Sequence, residues 1–139
     1  MNNINFGRVI LGGLVAGLIL NIGEFLLNDF VLVKQIEDMV RRMNVPPPGG
    51  SFVATAVGLT FLLGIVIVWI YAMIRPRFGP GPKTAIVAGF VAWFCVYLYA
   101  GILQATIMGV PANYLLLGMV WGIIEYILGA VAGAWLYKE

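Results

Sequence analysis

The chain has 139 residues, 62% of them hydrophobic and 10% charged, with mean hydropathy +1.00; soluble domains carry about 25% charged residues, so this composition belongs in a membrane. A formal net charge of +2, with the basic residues tied to segment ends, gives no footing for nucleic acid. The absence of histidine removes imidazole ligation of haem or chlorophyll, histidine zinc sites and Ser-His-Asp triads. The single cysteine, Cys95, rules out an internal disulfide and reads as a small buried packing residue.

Four apolar stretches reach the roughly 20 residues that a bilayer core requires: about 9–27, 52–74, 84–108 and 114–137. They predict an all-α membrane protein, an antiparallel four-helix transmembrane bundle in which residues 1–139 form a single four-span domain. The first stretch is long for a signal-peptide core, holds Glu24 and runs into Asn28-Asp29 with no small-x-small cleavage site, so it reads as a retained span. Arg8, the trio Arg75, Arg77 and Lys83, and Lys138 all fall on one side of a four-span chain. The positive-inside rule then predicts a multi-pass protein of the bacterial inner membrane with both termini cytoplasmic. Trp69, Tyr71, Tyr114, Trp135 and Tyr137 lie near span ends, where amphipathic rings favour the interface.

After the first span, Phe30, Val33, Ile36, Val40 and Met43 recur at helical steps with Lys34, Glu37, Asp38, Arg41 and Arg42 between them. This pattern predicts an external interfacial amphipathic helix over about 30–43, capped by Asn28 or Asp29 and ended by Asn44 and the Pro46-Pro47-Pro48-Gly49-Gly50 run. The connection from Arg75 to Lys83 holds three prolines and two glycines, which predicts a stiff basic turn. Its Arg75, Arg77 and Lys83 are candidate contacts for anionic lipid head groups. Gly81-Pro82-Lys83-Thr84 only superficially resembles a phosphate loop: Pro82 breaks the Gly-Lys step and no strand precedes it.

Two glutamates lie inside the apolar stretches, Glu24 in the first and Glu125 in the fourth. A charged side chain at mid-bilayer costs about 2.5–3.5 kcal/mol on an insertion scale, so such residues face a protein interior and often mark a site. On the first span Gly13, Gly17, Asn21, Glu24 and Asn28 form one stripe; on the fourth Gly118, Gly122, Glu125, Gly129 and Gly133 form another. Small residues at this spacing let helices approach closely, which predicts that spans one and four pack stripe to stripe. Counting 1.5 Å per residue from Arg8 and Lys138, Glu24 lies roughly 24 Å up and Asn21 and Glu125 roughly 20 Å. An amide beside two carboxyls can donate to one while the other carries a shared proton.

Glu24, Glu125, Asn21 and Asn28 are therefore candidate ligand-binding or proton-binding residues. Hydrogen-bonding glue between helices explains the same pattern, and the two readings stand side by side. Calcium needs more oxygens than these side chains supply and transition metals recruit histidine or cysteine, so no metal or cofactor is expected. Ser51, Thr55 and Thr60 show no triad element, and Tyr97, Tyr99 and Gln104 read as packing and interface residues.

Taken together, Gly12-Gly13 to Asn28, the Tyr71 to Thr84 connection, Trp121 to Glu125 and Gly133 to Tyr137 resemble a group of small four-span bacterial membrane proteins with no established activity. The resemblance covers nearly the whole chain and implies the fold and the bacterial inner membrane, but nothing catalytic. The small multidrug resistance transporters are similar in their four-span size and first-span glutamate. This chain departs from them in its second glutamate, its long external helix and the surroundings of Glu24, so proton-coupled export is an analogy only. The expected function is a non-enzymatic structural or accessory component that sits in the lipid bilayer and oligomerises or joins a larger membrane complex. The alternative is a proton-coupled carrier or hydrophobic-ligand binder that uses the intramembrane glutamate pair.

Overall fold

The structure is a computed structural model and describes residues 3–138. All regular elements among the described residues are helical. Helix α1 (Phe6–Leu26) passes into a π-helical turn at Leu27–Val31, and α2 (Val33–Met43) follows. Helix α3 (Gly50–Phe78) comes next. Then α4 (Pro82–Trp93), a π-helical segment at Phe94–Gly101 and α5 (Ile102–Met108) run on as one helix, and α6 (Ala112–Leu136) completes the chain. Phe6–Val31, Gly50–Phe78, Pro82–Met108 and Ala112–Leu136 are each long and apolar enough to cross a membrane. The chain is thus a multi-pass membrane protein built as a helical bundle.

Local chemistry sets the helix ends. The Asn5 side chain accepts a hydrogen bond from the Arg8 amide at 3.2 Å and caps α1. Asn44 takes the left-handed conformation (φ 52°) that stops α2. Contrary to the sequence expectation, neither Asn28 nor Asp29 caps α2: Leu32 holds that position without a side-chain bond, because Asn28 belongs to the π-helical turn. The stiff turn is also shorter than predicted. α3 carries Pro76 inside its last turn and runs to Phe78, leaving Gly79 (φ 83°) and Gly81 (φ 125°) to reverse the chain before Pro82 opens α4. Both φ values lie where side chains are strained, which is why glycine stands there.

Packing centres on α1, which lies between α3 and α6, while α4 packs on α6 and α3. Lipid tails are as apolar as leucine, so such contacts rest on close fit rather than on escape from water. At the end of the bundle that carries the chain termini, Val9, Leu20, Ile67 and Val68 are fully buried among Ala16, Ala72, Ala85, Ala88 and Ala130.

The small-residue stripe of α1 has a different partner from the expected one. A Cβ on Gly13 would strike the backbone and side chain of Ile65, and one on Gly17 would lie 2.8 Å from Phe61 Cα, so this stripe faces α3. Gly64 of α3 interlocks with the backbones of both glycines. The face of α1 that meets α6 is one residue over: Gly12 meets Gly133, Ala16 meets Gly129 and Gly23 meets Glu125.

One further expectation is corrected. Cys95 is exposed; it lies in the π-helical segment, none of whose residues is buried. Tyr71 and Tyr137 are buried within the bundle. Their rings meet edge to face, and their hydroxyls accept hydrogen bonds from the amides of Gly81 and Asn5. Arg75 is half-buried above the Tyr137 ring, at 5.6 Å from its centre, whereas Arg77 and Lys83 are exposed.

Candidate functional site

Glu24 stands near the end of α1, at the boundary between the close-packed half and a more open one. Its carboxyl takes two short hydrogen bonds: the Tyr97 hydroxyl donates to Oε1 at 2.6 Å and the Asn28 amide to Oε2 at 3.0 Å. Asn28 also donates to the Glu24 carbonyl at 2.8 Å. Both donors to the carboxyl come from π-helical turns, Asn28 from Leu27–Val31 and Tyr97 from Phe94–Gly101. A π turn shifts side chains relative to regular helix and often marks a functional position. Here the two shifts converge on one carboxyl.

Tyr97 is held by the fourth span. A Cβ on Gly122 would lie 2.6–2.8 Å from the Tyr97 ring, and the nearest ring atom to Gly118 is 4.0 Å from its Cβ position. These glycines therefore form a slot for a tyrosine, and of the stripe's glycines it is Gly129 and Gly133 that serve the contact with α1. The ring also meets Tyr126 edge to face, with centroids 5.5 Å apart.

Glu125 lies behind Glu24, only 5% exposed. The Trp121 indole donates to both Glu125 Oε2 and the Gly23 carbonyl, each at 3.1 Å, bridging α6 to α1. A Cβ on Gly23 would strike Glu125 Oε2, so the glycine makes room for the acid. Glu125 Oε1 is buried and receives no N–H or O–H donor among the described residues. The contact order explains how acids from different depths meet. Residue numbers rise along α1 as they fall along α6, and side chains tilt toward the start of their own helix, so the two carboxyls lean toward one another.

Of the four predicted residues, the structure joins Glu24, Glu125 and Asn28. Asn21 departs. Its amide donates to the Gly17 carbonyl at 2.9 Å and the Val57 carbonyl at 3.4 Å, so it serves the contact with α3. Tyr97, read from sequence as a packing residue, is instead a donor to Glu24, and Trp121 is a second partner that the pattern did not single out.

Glu24 also opens onto a groove of about 990 Å³ between the end of α1, α2 and the start of α3. Asn21, Asn28, Thr60 and Gln104 share its polar part; Phe25, Val33, Ile36, Val40, Phe52 and Val53 supply much of its apolar wall. The apolar face of α2 forms one side. No residue of α2 is buried, and it rests mainly on the π-helical turn before it. Among the described residues no group of three or more His, Cys, Asp or Glu could hold a metal ion. No family model, curated protein or solved structure matches this chain.

Proposed function

We propose that this chain is a non-enzymatic membrane protein that binds a hydrophobic ligand in the groove beneath α2, with the Glu24–Glu125 pair holding a proton at the closed end. One observation carries the reading: a groove of about 990 Å³, walled largely by apolar side chains, has Glu24 in its lining and a second, buried carboxyl behind it. Small-molecule sites run about 300–1,000 Å³ and combine an apolar lining with a few placed polar groups. Ionised carboxylates only accept hydrogen bonds, so the buried Glu125 Oε1, which has no donor among the described residues, favours a proton on one of the two carboxyls.

The setting is an antiparallel four-span bundle in a bacterial inner membrane with both termini cytoplasmic. The reversed contact order of α1 and α6 supports the first element, and Arg8, Arg75, Arg77, Lys83 and Lys138 at one end support the orientation. In that setting α2 lies at the outer surface, with its charged face to water. Binding is favoured over passage across the membrane because Val9, Leu20, Ile67 and Val68 fill the inner half. The alternative of an accessory component rests on exposed apolar side chains such as Leu59, Leu62 and Leu116, which acyl chains cover equally well.

Native mass spectrometry of the protein from mild detergent tests the reading. A hydrophobic molecule retained by the wild-type chain and lost from Ala56→Phe, which fills the groove, is the expected result. Equal retention in both would remove the groove from consideration.

A further inference from the structure

The hydrogen-bond inventory at the closed end of the groove identifies the kind of head group it takes, an inference that rests on the binding role proposed above. Each Asn and Thr there has already spent its hydrogens on the protein. Both amide hydrogens of Asn21 go to the Gly17 and Val57 carbonyls, and both of Asn28 go to Glu24. The Thr60 hydroxyl donates to the Ala56 carbonyl at 2.8 Å, and the Tyr97 hydroxyl is taken by Glu24. What these groups still offer is lone pairs: amide oxygens, a hydroxyl oxygen and the remaining sites of the Glu24 carboxyl. Among the side-chain amides that line the groove, those of Gln104 and Asn44 keep hydrogens to donate, and both are exposed rather than set beside Glu24.

Charge points the same way. The groove is lined by Glu24, Asp29 and Glu37 against one cation, Arg41. Beside Glu24, Asn21, Asn28 and Thr60, a carboxylate, phosphate or ester head would meet acceptors with acceptors, and a buried polar group without a partner is costly. A head that donates several hydrogen bonds and carries positive charge satisfies both inventories.

We propose that the ligand is a cationic amphiphile, a long-chain primary amine whose ammonium group sits at Glu24 while its tail lies along Val33, Ile36, Phe52 and Val53. The amine reaches the site from the side of the bundle, beneath α2. Charge-assisted N–H···carboxylate bonds are about twice as strong as neutral ones, so replacing Glu24 should weaken binding on the order of tenfold or more.

The test uses the full chain in nanodiscs of neutral phosphatidylcholine, with three probes of equal tail length: dodecylamine, dodecanol and dodecanoate. Each is titrated at matched membrane concentration while the melting temperature is followed. The expected result is a saturable rise with dodecylamine at a concentration at least tenfold below that needed for dodecanol, and no saturable rise with dodecanoate. Glu24→Gln should bring dodecylamine down to the level of dodecanol.

The head comparison is made on the wild-type chain, so it stands even if that variant fails to fold. If dodecanol or dodecanoate matches dodecylamine and all are lost in Ala56→Phe, the head-group assignment falls and the groove survives. If the three probes act alike in wild type and Ala56→Phe, they only partition into lipid, and both proposals fall. Preference for the amine that persists in Glu24→Gln overturns the placement of the head.

Discussion

The half of the bundle near the chain termini and the half near α2 are built from the same long helices to opposite ends. In the first half, backbones touch: Gly64 sits against Gly13 and Gly17, Gly133 against Gly12, and the gaps are filled by fully buried Leu20, Ile67 and Val68. In the second half the regular helix gives way to π turns, a carboxyl pair appears, and α3 stands off far enough to leave a groove. Glycine marks both halves but does different work in each. Helix α3 shows this directly, since a Cβ on Gly64 would overlap the α1 backbone while a Cβ on Gly58 has nothing within 4 Å. Tight packing in one half supplies the rigidity against which an open, polar half can be held.

The largest effect should come from breaking the tight half. Gly64→Val puts branched carbon into the backbone of α1, which cannot yield as a side-chain tip would, and should cost about 3 kcal/mol, the upper part of the overpacking range. Unfolding titrations in mixed detergent micelles, with helicity followed by circular dichroism, measure it. A cost below 1 kcal/mol would mean that α1 and α3 are not locked together as described.

A smaller effect tests the polar half. Tyr97→Phe leaves Glu24 Oε1 without its donor, and a double-mutant cycle with Glu24→Gln in the same unfolding assay should give a coupling of about 1 kcal/mol. Strict additivity would show that the hydroxyl and the carboxyl do not act as a pair. The smallest effect sharpens the contrast within α3. Gly58→Ala should stabilise by about 0.5–1 kcal/mol, the ordinary helix preference of alanine over glycine, because nothing opposes the added methyl.

The spans and the amphipathic helix are legible in the sequence because hydropathy and the three-to-four-residue spacing of Val33, Ile36 and Val40 depend only on neighbours along the chain. The carboxyl pair is legible for a related reason, since an acid in an apolar run stands out whatever surrounds it. Which face of α1 meets which helix is not. Gly12 and Gly13 are both small, and one step of about 100° separates the face toward α6 from the face toward α3. Tyr97 reads as a packing residue in the sequence because its role depends on the π turn that aims it and on the Gly118–Gly122 slot that receives it. Neither announces itself in a run of apolar residues.

The bond from Tyr97 to Glu24 spans 73 residues of chain, and the bridge from Trp121 to Gly23 spans 98. At 5–20 residues per second of synthesis, the acid on the first span emerges on the order of ten seconds before its tyrosine, and the tryptophan that ties the last span down comes later still. A nascent chain stopped after its second long helix, α3, therefore holds Glu24 with Asn28 as its side-chain donor and without its partners on later helices. Completion of α6 is the event that closes the site, so assembly and the making of the site are one step.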